Sequence, residues 1–289
     1  MKIFIPSKGR AQTISTHMLW PKDSEDYYIV VHSQEERDQY VKNRTIDPLK
    51  VIVSSMPHSM GATRNWIHRN MVSEGEFYLS LDDNIKSITA FPGPFYDEQE
   101  LPDDTLKSER KNLLSGISWA QFNKLLWQTL TEAARKRANL IGFAPISNPY
   151  FRGRKFRDVG FVIGQMFVAK KTAANFDPSF VFKEDYDFTA QNLLKHGRVL
   201  INNYIWPEKK HYEKGGCGSL KERTRQLVLD SEKLFRKYPG LFRYNSSREG
   251  FDEKAEVLIR FTQSGQIDKW RIATKHMIAK EAYGEAELH

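Results

Sequence analysis

The sequence predicts an α/β fold built on a mainly parallel central sheet, with a mostly helical C-terminal extension. Three observations lead to this prediction. Short apolar runs alternate with polar, helix-compatible segments along the first half of the chain. Hydrophobic residues make up 40% of the 289 residues, which is enough to bury a sizeable core. The chain has no apolar run near the ~20 residues that a transmembrane helix needs.

The first half of the chain contains four short runs rich in β-branched or aromatic residues, as buried parallel strands are. They lie at 2–5, 27–31, 50–53 and 77–81. The polar segments between them predict helices over 10–19, 33–43 and 61–72. Alternating strands and helices imply a parallel sheet with right-handed crossovers. Such sheets bind ligands at the carboxyl ends of their strands, so chemistry is expected there.

The second half begins with a break in this pattern. Three prolines and an acidic run predict an exposed insertion over 91–118. The elements predicted after it are a helix at 119–138, strands at 140–144 and 160–169, a helix at 182–196 and a strand at 198–203. A glycine-rich loop at 213–219 follows. Residues 1–219 are thus predicted to form one domain, and residues 220–289 a helical extension packed on it.

Composition excludes several classes of protein. The single cysteine, Cys217, excludes a disulfide scaffold and a cysteine-only zinc site. The amino terminus has only three apolar residues before Pro6, so no signal peptide is predicted. We therefore expect a cytoplasmic protein with no membrane association and no obligate protein partner. The net charge of +8 points to a polyanionic partner only weakly, because 44 basic residues stand beside 36 acidic ones.

A triplet of oxygen-bearing side chains, Asp82, Asp83 and Asn84, directly follows the run at 77–81. Carboxylates and an amide at this place are natural ligands for a hard divalent cation. The same triplet also favours an ordinary turn. Placement after a hydrophobic strand favours the metal interpretation.

Two loops carry residues that suit a phosphate group. Pro6 to Arg10 follows the first strand, and there Ser7, Lys8 and Arg10 could donate hydrogen bonds to a nucleotide. The segment from Gly61 to Asn65 opens a helix, whose free N–H groups favour phosphate and whose Arg64 could pair with a diphosphate. Alone, the first is equally an ordinary strand-to-helix turn, and the second an N-terminal cap with a surface arginine.

Three acids at the start of the helix at 182–196 form a candidate catalytic group: Glu184, Asp185 and Asp187. One of them could act as a general base, although acids in a first helical turn are often only partners of the helix dipole. His211 follows the last predicted strand, where it is either a metal ligand or a surface histidine. The glycines beside it, including Gly215 and Gly216, predict a lid.

A stretch from 133 to 157 contains seven basic residues, interleaved aromatic residues and no acid. Cations can meet phosphates and rings can stack on bases, so this stretch suits nucleic acid. A solvated charged surface explains it equally well. The candidate acceptor-binding residues here are Arg152, Arg154, Lys155 and Arg157.

Taken in order over about residues 1–220, these motifs resemble the GT-A glycosyltransferases. That resemblance implies an αβα sandwich, with residues 1–219 as the catalytic domain that binds the nucleotide sugar and the acceptor. The order SKGRA, GATRN, LDDNI, KEDYDF and a later histidine also resembles the TET-associated glycosyltransferases of bacteriophages, a group thought to glycosylate hydroxylated or hydroxymethylated DNA bases. The resemblance implies a nucleoside-diphosphate sugar donor, here a UDP-sugar, with Mn²⁺ or Mg²⁺, and modified cytosine in DNA as acceptor. It assigns catalysis to Asp185, less favourably Glu184 or Asp187. The donor-binding residues it implies are Pro6, Ser7, Lys8, Arg10, Gly61, Arg64, Asn65, Asp82, Gly215 and Gly216. The metal ligands it implies are Asp83, Asn84 and His211.

The sequence departs from the GT-A pattern at two places. The second strand is followed by His32 rather than by acids that bind the base, which leaves the nucleotide base undefined. Asn84 replaces the last acid of the metal motif, which weakens the site only if that position carries the ligand. The alternatives are a GT-A enzyme acting on a protein, glycan or small molecule, a nucleotidyltransferase, and a nucleic-acid-binding protein without catalysis.

Overall fold

The structure is a computed structural model that describes residues 1–21, 26–56, 59–90, 116–144, 156–209, 220–245 and 254–283. Its centre is an eight-stranded sheet with the order β3-β2-β1-β4-β9-β7-β10-β8. The strands of this sheet are β1 (Ile3–Pro6), β2 (Tyr27–Val31), β3 (Val51–Val53), β4 (Phe77–Leu81), β7 (Leu140–Phe143), β8 (Phe156–Arg157), β9 (Met166–Lys170) and β10 (Leu200–Asn202). The block β3-β2-β1-β4 is parallel throughout, β7 and β10 are also parallel, and β9 runs antiparallel between β4 and β7.

Two smaller sheets accompany the central one. The first has the order β11-β5-β6 and the second pairs β12 with β13, all antiparallel. Their strands are β5 (Ile85–Ala90), β6 (Gly116–Ile117), β11 (Ile205–Lys209), β12 (Phe242–Tyr244) and β13 (Val257–Ile259). The described α-helices are α1 (Gln34–Tyr40), α2 (Met60–Asn70), α3 (Trp119–Lys136), α4 (Glu184–His196), α5 (Leu220–Lys237) and α6 (Ser264–Tyr283). The predicted α/β class with a mainly parallel central sheet is confirmed.

Alternating side chains of each strand fill two separate cores, one on each face of the sheet. Ile3 and Ile5 of β1 join the core that packs against α1 and α3, whereas Phe4 joins the core that packs against α2 and α4. Residues such as Tyr238 and Trp270, from the C-terminal part of the chain, extend the second core. This two-sided burial explains why the strands read as continuous apolar runs and produces the αβα sandwich.

Helix ends follow local sequence signals. Ser33, Ser59 and Ser118 each accept a hydrogen bond from a backbone N–H in the first turn of α1, α2 and α3. Helix α4 ends at Gly197, whose φ of 81° is the left-handed conformation that favours glycine. These caps fix where the helices that carry site residues begin and end.

Three sequence-based boundaries are wrong. The helix predicted over 10–19 is a turn followed by a short 3₁₀ helix, Thr16–Leu19, because Ser15 and Thr16 bind the backbone of Asp83 instead of continuing a helix. The strand predicted over 160–169 is only β9, which begins at Met166. The strand at 198–203 is not the last one, since β11 follows and pairs with β5. Of the predicted insertion, 91–115 lies outside the described residues, and β6 pairs with β5.

The C-terminal helices hold the segment that leads into α4. Asp230 of α5 accepts hydrogen bonds from the backbone N–H groups of Val181 and Phe182, at 3.0 and 2.8 Å. Lys237 of α5 pairs with the buried Asp187 at 2.7 Å. The helical extension is therefore attached directly to the start of α4. Among the described helices, none is long and apolar enough to cross a membrane.

The buried His68 of α2 predicts a pH dependence of stability. Its ring donates to or accepts from Tyr78 at 3.0 Å, and burial, with the nearby Lys171 charge, lowers its pKa from 6.5 to about 4. The unfolded chain therefore binds the extra proton first, and stability falls as the pH drops from about 6.5 to about 4. The shift corresponds to about 3 kcal/mol. Urea unfolding of His68→Phe should show a shallower loss over this window than the wild type, and equal slopes would contradict the assignment.

Candidate active site

The candidate site lies where β1 and β4, two parallel neighbours, reach their carboxyl ends. The segment after β4 carries Asp82, Asp83 and Asn84, and the segment after β1 carries Ser7 and Arg10. Because parallel strands end at one edge of the sheet, residues that are 70 positions or more apart meet here. The starts of α4 and β9 complete the site from the other side.

Asp83 is held by the loop after β1. Its carboxylate accepts a hydrogen bond from the Ser7 hydroxyl at 2.6 Å and from Arg10 at 3.1 Å. The Tyr40 hydroxyl, from α1, lies 2.6 Å from the Ser7 hydroxyl and accepts from the Arg10 backbone N–H. Burial raises the pKa of Asp83 to about 6, against the lowering effects of Ser7 and Arg10.

Asp82 lies at the same edge of the sheet and faces two cations. Arg64 of α2 donates to one carboxylate oxygen at 3.2 Å, and Lys209 of β11 donates to the other at 3.2 Å. The backbone of Asp82 is fixed as well, because its N–H donates to the carbonyl of Gln165 and its carbonyl accepts from Thr16. Ion pairs and backbone bonds together orient this carboxylate.

Arg64 joins the two acidic motifs. It is buried, and it donates to the Glu184 carboxylate at 2.5 Å and to the carbonyl of Gly164 at 2.6 Å, besides Asp82. Burial raises the pKa of Glu184, while the guanidinium opposes that rise. Two glycines make this arrangement possible. A Cβ on Gly61 would lie 2.9 Å from the Phe180 carbonyl oxygen, and a Cβ on Gly164 would collide with Arg64.

Asp185 lies next to this ion pair at the start of α4. Its carboxylate oxygens accept from the backbone N–H groups of Gly164 and Tyr186, each at 2.9 Å. The side chain is partly exposed, and the protein packed around it raises the pKa of the carboxyl, with Arg64 as the main opposing charge. An oriented carboxylate with a raised pKa suits a group that accepts a proton.

Two predicted site residues point elsewhere. Asp187 is fully buried and accepts hydrogen bonds from Tyr238 and Gln191, besides its pair with Lys237. Its carboxylate is therefore engaged in attaching α5 to α4. Asn65 lines a separate cleft of about 650 Å³ with Arg69 of the same helix and with residues that follow β9; these include Lys171, Asn175 and Phe176.

The other predicted site residues are placed as follows. Pro6 ends β1 and is buried, while Lys8 is exposed beside it. Arg157 lies in β8, the edge strand of the central sheet that pairs with β10. The remaining predictions fall outside the described residues. They are Arg152, Arg154, Lys155, His211, Gly215 and Gly216.

Three residues of the cluster carried no sequence prediction. Tyr40 and Gly164 give no local signal, because a tyrosine in a polar helix and a glycine in an apolar run are common. Lys209 had a weak signal, since it precedes His211 by two residues in the same polar segment.

The donor atoms at this edge fit a hard divalent cation. Asp82 and Asp83 supply carboxylates, and Asn84 is adjacent with an amide oxygen. Among the described residues, no group of three or more histidine, cysteine or acidic side chains is arranged for a metal. A cation here would therefore rest on these two carboxylates together with the amide or other ligands. It would also have to compete with Lys209 for the Asp82 carboxylate.

Comparison with known proteins decides the family. The family model described as TET-Associated Glycosyltransferase matches residues 1–216. The chain belongs to the TET-associated glycosyltransferases. As a member of this family it is a glycosyltransferase, as the order of the motifs predicts. The alternatives of a nucleotidyltransferase and a binding protein without catalysis are accordingly set aside.

Two solved structures are similar to this chain, and both are of TarS from S. aureus. The structure of TarS 1-349 is 11% identical, with a TM-score of 0.43, and the alignment covers 99% of this chain and 75% of that one. A second TarS structure is 11% identical, with a TM-score of 0.42, and covers 100% of this chain and 45% of that one. No curated protein matches the sequence. The matched family region ends just before α5, so the extension that holds α4 lies beyond it.

Proposed function

We propose that this TET-associated glycosyltransferase moves a sugar from a nucleoside-diphosphate sugar, a UDP-sugar, to the hydroxyl group of a modified cytosine in DNA. The observation that carries the proposal is the Arg64 bridge. It joins Asp82, next to the predicted diphosphate and metal ligands, to Glu184, next to the predicted base. Groups for a leaving diphosphate and for an attacking hydroxyl are thus held in one cluster, as sugar transfer requires.

In the proposed reaction, Asp185 is the general base. The acceptor hydroxyl oxygen forms a bond to the anomeric carbon of the sugar, the bond from that carbon to the diphosphate breaks, and the hydroxyl proton goes to the Asp185 carboxylate. The nucleoside diphosphate leaves with the bonding electrons. The hydrogen bonds from Gly164 and Tyr186 hold the carboxylate in place before the acceptor arrives.

Positive charge near Asp82 supports the leaving group. Arg64 and Lys209 lie at this edge of the site, and Arg10 lies on Asp83. When bound, Mn²⁺ or Mg²⁺ on Asp82, Asp83 and Asn84 would supply Lewis-acid neutralisation of the diphosphate. Cations and oriented donors act strongly on charge that develops in a partly buried site.

The proposed acceptor rests on the family resemblance and on the basic stretch at 133–157. In duplex DNA, the target base would have to leave the stack or be approached in the groove. A protein, glycan or small-molecule acceptor is the competing possibility. The dependence of DNA binding on salt separates them, because a DNA enzyme loses affinity with a log–log slope of about −0.9 per phosphate neutralised.

A donor and acceptor screen tests the proposal. The purified protein is incubated with Mn²⁺ and several nucleotide sugars, and with either unmodified or hydroxymethylcytosine-containing DNA. Mass spectrometry of the digested nucleosides should show a hexose or pentose added only to the modified cytosine. A sugar transferred to other added acceptors, with no product on DNA and no DNA binding at low salt, would contradict the DNA acceptor.

Asp83 provides a test of metal dependence. Asp83→Asn should lower Mn²⁺-dependent transfer by at least about 100-fold, since loss of even an outer-shell partner of a metal site lowers affinity or activity 10–100-fold. Asp38→Asn, an exposed residue of α1, is the matched control and should retain full activity. Transfer by Asp83→Asn within a few-fold of the wild-type rate, at saturating Mn²⁺, would contradict a metal-binding role.

A further inference from the structure

The position of Lys209 is fixed by the pairing of β11 with β5. The strand β5 begins at Ile85, directly after the acidic triplet, and Lys209 is the residue of β11 paired with Ile85. The register shifts between Glu208 and Lys209, at the end of the ladder. Such an irregularity re-aims a side chain, and it lies beside the candidate site.

The two cations on Asp82 differ in burial and in the number of their acceptors. Arg64 is 4% exposed and has three acceptors on different elements, so its position is set by the fold. Lys209 and Asp82 are each 21% exposed, and within the described parts of the chain the ammonium donates to Asp82. Partly exposed lysine–carboxylate ion pairs contribute little to stability. The Lys209 ammonium can therefore leave Asp82 when a ligand with a higher negative charge binds beside it.

A divalent cation and Lys209 would compete for one atom. The Oδ1 atom of Asp82 is held by Arg64, and the Oδ2 atom is held by Lys209. A cation that binds this carboxylate therefore has to displace the ammonium. The displaced ammonium would stay at the same edge of the site, where a diphosphate would place its negative oxygens.

We propose that Lys209 is a donor-binding residue that changes partner during the reaction cycle. It holds Asp82 while no divalent cation is present, and it donates to a phosphate oxygen of the nucleotide once a cation takes the Asp82 oxygen. The lysine neutralises the negative charge of Asp82 before the donor binds. Afterwards it places a second positive charge beside the leaving diphosphate. This inference rests on the proposed function.

Calorimetry on the full chain tests both halves of the proposal. The variants are Lys209→Met, Lys209→Arg and the control Lys50→Met, which removes a lysine whose ammonium lies 5.5 Å from the rings of Tyr27 and Tyr28 at the opposite ends of the strands. Mn²⁺ alone should bind Lys209→Met about tenfold more tightly than the wild type, because its competitor is gone. UDP in the presence of Mn²⁺ should bind Lys209→Met about tenfold more weakly, the effect of one charge-assisted hydrogen bond.

The UDP and Mn²⁺ affinities of the other variants decide whether Lys209 has this role. UDP affinity should recover in Lys209→Arg and stay at the wild-type value in Lys50→Met. Unchanged Mn²⁺ affinity or unchanged UDP affinity in Lys209→Met would overturn the role of Lys209 and leave the proposed function standing. Failure of the wild type to bind any nucleoside diphosphate with Mn²⁺ would overturn both the role of Lys209 and the proposed function.

Discussion

Asp185→Asn is expected to lower sugar transfer by about 10³-fold, within the range found for loss of a general base. The amide keeps the size of the side chain and one acceptor for the backbone N–H groups of Gly164 and Tyr186, but it cannot accept the hydroxyl proton. Affinity for UDP should stay within about threefold of the wild type, because the change removes a group that acts in the transition state. Initial rates and calorimetry measure the two quantities.

Asp187→Ala is the matched comparison. Asp187 lies two residues further along the same helix, but its carboxylate accepts from Tyr238 and pairs with Lys237. Its removal should lower the free energy of unfolding by about 1–3 kcal/mol, because the buried Tyr238 hydroxyl loses its carboxylate acceptor and keeps only the longer contact to the backbone carbonyl of residue 187. Activity per folded molecule should remain near the wild-type value. Sugar transfer by Asp185→Asn within a few-fold of the wild-type rate would contradict the role of Asp185 as the base. A loss of transfer in Asp187→Ala without unfolding would contradict a purely structural role of Asp187.

Arg64→Met is expected to have the largest effect on stability. The arginine and its partner Glu184 are 4% and 6% exposed, so the change leaves a buried carboxylate without its cation. Breaking a buried pair in this way lowers the free energy of unfolding by about 3–5 kcal/mol. Activity should be lost as well, because Asp82 loses one of its two cations. Denaturant unfolding gives the first quantity and the transfer assay the second.

The double variant Arg64→Met/Glu184→Leu separates stability from function. Replacement of a whole buried ion pair by apolar side chains is often neutral, so much of the lost stability should return. Activity should not return, since the bridge between the two acidic motifs is still missing. A double variant no more stable than Arg64→Met would mean that the buried charge of Glu184 is not what destabilises the single variant.

Hydrophobic pattern was sufficient for most of the fold. The runs at 27–31 and 77–81 coincide with β2 and β4, because strands buried on both faces need apolar residues at every position. For the segment at 10–19, the same pattern predicted a helix that the structure does not contain. Its polar residues are compatible with a helix, but the hydroxyl groups of Ser15 and Thr16 donate to the backbone carbonyls of Ile85 and Asp82, which lie 66 residues or more away in sequence.

The site was predictable only in part, for a related reason. Asp83 and Asp185 follow a strand and open a helix, which are places where local sequence indicates chemistry. Lys209 belongs to the site only because β11 pairs with β5, and that pairing has no local signal. Asp187 shows the converse, since it shares the motif of Asp185 but faces α5, which the sequence does not reveal.

A structure of the chain with UDP and Mn²⁺ tests the central claim most directly. We expect the diphosphate at the carboxyl ends of β1 and β4, with Mn²⁺ on the Asp82 and Asp83 carboxylates and Lys209 turned toward a phosphate oxygen. Asp185 should face the space left for the sugar and the acceptor. A diphosphate bound instead in the cleft lined by Asn65 and Lys171, or no nucleotide bound at saturating UDP, would contradict the assignment of this site.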